Sequence, residues 1–240
     1  MADQKRKIIT LATPKLPFVW PKLNEPDYGN EKFPKPEGEY QVRLRGALSD
    51  PAVTAFLKLL EPHYKAALAN AEEEFKKLKV DVRKKLGSVK PNDLFTTLYD
   101  KETEEPTGEI EFKFAMKASG EVKKGPRAGK KWTAKPAIFD AKGKALANPP
   151  TIWGGTIGKI SFEIVEGGYF IPGTAAAGLS MKLKAVQLIE LSNGSAKDAK
   201  GFGFGEEDGF EAGDDNTFAD ETGGTTEQAS SDTDAGNEDF

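Results

Sequence analysis

The residues that could do chemistry in this chain fall into two sets, and the first is nearly empty. There is no Cys and a single His, His63. Without Cys there is no disulfide scaffold, thiolate zinc site or cysteine nucleophile. A Ser-His-Asp triad or an imidazole metal site would have to be assembled around His63 alone. That residue lies between Pro62 and Tyr64 in an apolar helical pattern, where packing or exposure accounts for it. The dense carboxylates sit near the C-terminus among Gly, Ser and Thr, with no apolar strand residues to hold the octahedral shell a Mg²⁺ nuclease needs. The run Gly154-Gly155-Thr156-Ile157-Gly158-Lys159 lacks the glycine spacing and the Ser or Thr after Lys that define a phosphate loop. It reads as a turn. Gly201-Phe202-Gly203-Phe204-Gly205 has no following helix, so it reads as a linker rather than a dinucleotide fingerprint. No enzyme and no cofactor is expected.

The second set is cations interleaved with aromatic rings. Arg43 and Arg45 share the polar face of one alternating segment, and Lys113 and Lys117 that of another. Lys123, Lys124, Arg127, Lys130 and Lys131 crowd the stretch ahead of Trp132, while Trp153 and the pair Tyr169-Phe170 stand in Gly-rich stretches. Unpaired nucleic acid needs this combination. Cations follow the phosphates, and flat rings stack on bases at about 1 to 3 kcal/mol each. For each ring the competing reading is core packing, and for each strand arginine a solvated surface.

Charge is distributed in the same sense. The 240 residues hold 34 Lys plus Arg and 38 Asp plus Glu, a net of -4. No basic residue follows Lys200, and the last 40 residues contain 13 acids, so residues 1–200 carry a net of +9. A basic body with an acidic tail implies a polyanion-binding surface joined to a segment that competes with the polyanion or recruits basic partners. No apolar run approaches the roughly 18 to 20 residues that span a bilayer, and no signal-peptide core follows Met1–Lys7. A soluble intracellular protein is expected.

The elements that would position these groups can be read from periodicity. Residues 1–36 contain Pro14, Pro17, Pro21, Pro26, Pro34 and Pro36, which predicts an extended arm over the surface. Its Lys5-Arg6-Lys7 cluster is placed to touch phosphates. Tyr40, Val42 and Leu44 alternate with Gln41, Arg43 and Arg45, the period of a half-buried strand. Ser49-Asp50-Pro51 is a helix start, followed by apolar residues at helical spacing from Val53 to Leu78. Pro62 interrupts that pattern, so it predicts either two helices or one kinked helix. Strict alternation returns at Ile110, Phe112, Phe114 and Met116 and at Ile160, Phe162 and Ile164. Ala137-Ile138-Phe139 with the Asp140–Lys144 turn suggests a hairpin. A final strand begins near Leu179 and changes phase at Val186, which predicts a bulge. Short strands with one helical excursion, lacking a strand-helix-strand rhythm, imply a small antiparallel barrel. The resulting division is 1–36 arm, 37–192 binding domain with a helical insertion at about 51–86, and 193–240 flexible acidic tail.

Several blocks in this order resemble the single-stranded-DNA-binding proteins of short-tailed bacteriophages. They are Lys22–Asn30, Phe112-Lys113-Phe114, Asp140–Lys144, Ile152-Trp153-Gly154-Gly155, Val186–Leu191, and the acidic end closing on Asp239-Phe240. The resemblance implies a mainly β OB-fold barrel, no catalysis, and a cleft for single-stranded DNA. In it Lys113, Lys123 and Lys124 would track phosphates and Tyr169 or Phe170 would stack. It further implies that the tail, through Asp234, Glu238, Asp239 and Phe240, contacts phage DNA polymerase and helicase-primase in the cytoplasm of an infected bacterium, and occupies the cleft when DNA is absent. A homodimer is compatible with that picture. The rival readings are an acidic-tailed scaffold or chaperone for basic proteins and an architectural protein of duplex DNA.

Overall fold

In the computed structural model, which describes residues 6–192, alternation builds the walls of a closed barrel. In chain order the elements are β1 (Ile8–Ala12), β2 (Leu16–Gly29), β3 (Pro34–Ala47), α1 (Pro51–Lys76), α2 (Val80–Leu86), β4 (Lys90–Pro91), β5 (Thr96–Tyr99) and β6 (Pro106–Lys117). There follow β7 (Ser119–Glu121), β8 (Lys131–Thr133), β9 (Ala137–Phe139), β10 (Ile157–Val165), β11 (Tyr169–Ile171), β12 (Ala176–Gly178) and β13 (Lys182–Glu190). Strands β2, β3, β6, β13 and β10 pair in that order, and β10 returns to β2. All wall pairings are antiparallel except β6–β13, which is parallel. This is the arrangement of an OB-fold. On its margins β1 adds to β10, β5 to β6 and β9 to β13.

The inward residues are those the alternation selects: Val42 and Leu44 on β3, Ile110, Phe112 and Phe114 on β6, and Ile160, Phe162 and Ile164 on β10. The phase change in β13 is a bulge. Leu183 pairs with Phe162 while Ala185 pairs with Ser161, so Lys184 is the extra residue and Val186 and Leu188 take over the inward side.

The segment expected to be a surface arm is extended but is part of the barrel. Leu16, Phe18 and Leu23 of β2 are core residues, so the domain starts well before residue 37. The prolines misled because proline breaks a ladder only where its missing N–H was needed. Beyond Pro17, β2 has no β10 partner in register, so Pro21 and Pro26 fall where one edge of the strand faces a loop and no ladder needs their amides. The segment from Ala137 folds back on itself as expected: Phe139 and Ala145 form an antiparallel bridge, and the Leu146 amide donates to the Ile138 carbonyl at 2.8 Å. Not foreseen were the parallel pairing of β9 with β13 and a second hairpin, β7–β8, one segment earlier. The Asp140 turn itself is as expected, its carboxylate accepting from the Lys142 and Lys144 amides at 2.9 and 2.8 Å.

Helix α1 begins where Asp50 caps it, accepting from the Ala52 amide at 2.8 Å, with Pro51 in the first turn. It runs through Pro62 as one helix. The carbonyl that Pro62 cannot reach belongs to Lys58, and both residues lie on the exposed side of the helix, where a lost bond costs least. The first half of α1 closes one end of the barrel: the Phe56 ring meets Phe112 and Phe162 edge-on, with centroids 5.1 and 5.9 Å away. Burying such a ring is worth about 1.5 to 3 kcal/mol. Its second half, through Ala71 and Phe75, packs with Val89, Ala175 and Ala177 over the small sheet β11–β12–β4. No helix among the described residues is long and apolar enough to cross a membrane.

Candidate nucleic-acid interface

The outward face of β6 is the floor of an open groove. One part, about 970 Å³, is lined by Phe95, Thr97, Tyr99, Glu111, Lys113, Ala115, Tyr169, Ile171 and Met181. The adjoining part, about 550 Å³, is lined by Glu39, Lys117, Trp132, Ala134, Lys182 and Lys184. Ala115 and Ser180 belong to both, so the two form a continuous channel from Tyr99 and Tyr169 to Trp132. It is a natural consequence of the fold. A strand with one face in the core must display its alternate residues outside, and on β6 these are Glu111, Lys113, Ala115 and Lys117.

One lip is the β11–β12 hairpin carrying Tyr169, and it is held tightly to α1. Asn70 of the helix donates to the Gly167 carbonyl at 3.0 Å, and Arg6 donates to the Gly168 carbonyl at 2.9 Å. Gly168 has φ +59, and a Cβ there would fall 2.4 Å from both the Ala67 methyl and the Gly178 carbonyl. Only glycine permits the approach. The Tyr169 hydroxyl accepts from the Asn92 side chain at 2.6 Å, fixing the ring at the groove edge. The opposite lip is the β7–β8 hairpin, where the Trp132 indole lies over Gly120.

The floor has built-in electrostatics. Glu111 is only 5% exposed, yet it accepts from Arg43 at 3.0 Å and from two nitrogens of Arg45 at 2.8 and 3.2 Å. Burial pushes its carboxyl upward, but the bonds to Arg45 and Arg43 outweigh this and hold it below its ordinary value. Farther along, Lys35 bridges Asp27 and Glu39 at 2.7 and 2.8 Å, and Lys113 approaches Glu39 at 3.7 Å. The Lys35 bond and the Gly29 amide hold Asp27 below its ordinary value. Lys117 pairs with Glu37, and Lys184 with Glu163 at 3.3 Å. Lys182 is exposed on the same face without an ion pair among the described residues.

The fold thus brings together Lys113, Lys117, Trp132 and Tyr169, with Arg43 and Arg45 joined to them through Glu111. Lys123, Lys124, Arg127, Lys130 and Lys131 are exposed on the β7–β8 hairpin beside Trp132, outside the channel lining. Phe170 turns the other way: alternation places it beneath Tyr169, where its ring meets Phe75 edge-on with centroids 6.5 Å apart. Its place is the core under α1. Trp153 stands on the loop before β10, away from the channel lining. Asp234, Glu238, Asp239 and Phe240, and the linker at Gly201–Gly205, lie outside the described residues, as does Lys5. Tyr99, Lys182 and Lys184 are channel residues that sequence reasoning passed over. The alternation Lys182-Leu183-Lys184 was the signal that could have found the last two.

Residues 16–191 match the family described as single-stranded DNA-binding protein, bacteriophage T7. The chain belongs to that family. The matched span takes in all five wall strands and the whole channel floor. Two curated relatives are similar to it. The single-stranded DNA-binding protein of Enterobacteria phage T3 is 30% identical over 196 residues, covering 80% of this chain and 79% of the relative. That of Escherichia phage T7 is 28% identical over 188 residues, covering 78% and 74%. Among solved structures, the crystal structure of gp2.5, a single-stranded DNA-binding protein encoded by bacteriophage T7, aligns with a TM-score of 0.57 at 25% identity. That alignment covers 81% of this chain and 98% of the other. The OB-fold read from the wall strands is thereby the fold of a phage single-stranded-DNA-binding family.

Proposed function

We propose that the protein is a non-enzymatic single-stranded-DNA-binding protein of phage DNA replication and recombination, acting in the cytoplasm of the infected host. The observation that supports this reading is the channel on β6, where Lys113, Lys117, Lys182 and Lys184 run between the exposed ring of Tyr99 and the half-buried ring of Tyr169 at one end and the ring of Trp132 at the other. Lysines placed along a channel follow a phosphate backbone without reading sequence, and rings at its lips stack on bases of any identity. The cationic hairpin from Lys123 to Lys131 extends the phosphate track beyond the Trp132 lip. A duplex offers no free base faces, so the protein prefers unpaired strands.

The C-terminal segment carries the second half of the proposal. With 13 acids and no cation after Lys200, it competes with DNA for cationic surface. Through Asp234, Glu238, Asp239 and Phe240 it recruits replication proteins, the phage DNA polymerase and helicase-primase among them. The test is fluorescence anisotropy with a labelled oligo-dT, comparing the full chain with a chain ending at Lys200, at low and moderate salt and with duplex competitor. Tighter binding by the shortened chain, weakened by salt and poorly competed by duplex, supports both halves. Equal affinity of the two chains at low salt removes the competition. Absence of binding by either removes the DNA function and favours the scaffold reading.

A further inference from the structure

The barrel presents a second pair of rings to solvent on the side away from the channel. In the ring of wall strands, β6 is flanked by β3 and β13, so the seam where β2 meets β10 lies across the barrel from it. At that seam Trp20 is 79% exposed and Trp153 51% exposed. Parity predicts otherwise for the first. Leu16 and Phe18 point inward, so regular alternation would bury residue 20. Instead Trp20 adopts φ +47, the register with β3 shifts between Val19 and Lys22, and Leu23 resumes the core with the opposite phase. A left-handed backbone at a bulky residue is an outlier, and an exposed indole gives up burial that would have stabilised the core. Both costs fall on one residue. Such strain points to use rather than to packing.

The chain segments that carry the two tryptophans are tied to each other on both sides of them. The Gly155 amide donates to the Phe18 carbonyl at 2.9 Å, and the Phe18 amide donates to the Thr156 carbonyl at 2.8 Å. Beyond the rings, the Asn24 side chain accepts from the Ile152 amide at 3.0 Å and donates to the Pro150 carbonyl at 2.9 Å. Trp153 therefore rides on a loop stitched to β2 before and after Trp20. Lys15 and Lys22 flank Trp20 along the chain, and among the described residues neither enters an ion pair. Of the other barrel lysines, Lys35, Lys113 and Lys117 have carboxylate partners, while Lys182 in the channel, like Lys15 and Lys22, has none among the described residues.

We propose that Trp20 and Trp153 form a second base-stacking platform for unpaired DNA, outside the β6 channel, with Lys15 and Lys22 on its phosphates. Exposed lysines on the same stretch of chain as an exposed indole, with no ion pair among the described residues, match an anionic strand with open base faces better than an apolar protein surface. The proposal rests on the single-strand reading of the channel and extends it: a strand that fills the channel and continues around the barrel meets a second contact.

The test uses the full chain and two lengths of oligo-dT, one of about 8 nucleotides that fills the channel and one of about 30 that can pass around the barrel. In Trp20→Ala with Trp153→Ala, affinity for the long strand should fall about tenfold or more, while the short strand is bound as before and the thermal midpoint is maintained. Trp20→Phe with Trp153→Phe should restore most of the loss, since a phenyl face still stacks. A direct reading is also available, because the chain has three Trp and Trp132→Phe leaves these two as the sole indole reporters. The long strand should quench their fluorescence and the short strand should not. Unchanged affinity of the alanine variant for the long strand, or absence of quenching at saturation, overturns the platform while leaving the channel intact, and would make the surface a site for protein. Failure of the unaltered chain to bind either strand sinks the channel reading instead.

Discussion

Replacing Glu111 with Gln separates the two things this carboxylate does. It is buried in the channel floor and accepts three bonds from the half-exposed guanidinium groups of Arg43 and Arg45. Removing one member of a fully buried charge pair costs about 3 to 5 kcal/mol, because the partner is stranded. Here the arginines reach solvent and recover hydration, and the neutral amide no longer carries the carboxylate's burial cost, so the loss should be about 1 to 2 kcal/mol. For a chain of this size that lowers the thermal midpoint by about 2 to 8 °C. DNA affinity should move the other way. The floor gains a positive charge and two freed guanidinium groups, which steepens the dependence of log affinity on log salt by about 0.7 for each new phosphate contact. Thermal melting by circular dichroism and oligo-dT anisotropy over a salt series measure the two effects on one sample. A pH series adds a sign check. The Glu111 pKa is lowered on folding, so its stabilisation is complete above the ordinary carboxylate value and is lost as pH falls through the depressed one. The gap between parent and variant should hold above the ordinary carboxylate value and close as pH falls below it. An unchanged midpoint with an unchanged salt slope, or weaker DNA binding, would refute this account of the floor.

Tyr169→Ala should weaken oligo-dT binding by about 1 to 3 kcal/mol with little change in folding, whereas Phe170→Ala should lower stability by about 2 kcal/mol and leave DNA affinity nearly unchanged. Anisotropy and urea titration on both variants test which face of β11 does which task. Lys117→Glu with Lys182→Glu should weaken binding to oligo-dT and oligo-dA about equally and flatten the salt dependence by about 1.4, so a loss confined to one base composition would argue against phosphate contacts. At Gly158 a Cβ would lie 2.5 Å from both the Gln187 carbonyl and the Phe18 ring, where β10 closes the barrel on β2 and β13. Gly158→Ala should destabilise the fold by about 1 to 3 kcal/mol, read as a lower urea midpoint; a stable variant would mean that the seam can open.

Much of the barrel was legible because a strand's period of two survives without any tertiary information. Phe112 and Phe114 had to share a face, Lys113 and Lys117 the other, and the parity break at Val186 had to be absorbed by a bulge. The start of α1 was legible for a similar local reason, since Asp50 and Pro51 act within one turn. The charge division between body and tail needed only counting. What the sequence could not reveal was which elements meet. Proline content suggested an arm at residues 1–36, yet β2 is a barrel wall, because a proline's cost depends on whether a neighbouring strand needs its amide. Tyr169 and Phe170 were equivalent until the sheet they belong to was placed on α1, which turned one ring to the channel and the other to Phe75. Arg43, Arg45 and Glu111 are 66 to 68 residues apart in the chain, and only the pairing of β3 with β6 makes them one unit. Composition and local period are set by the chain alone. Packing, and with it the difference between a ring that binds and a ring that supports, is set by long-range pairings that no local pattern encodes.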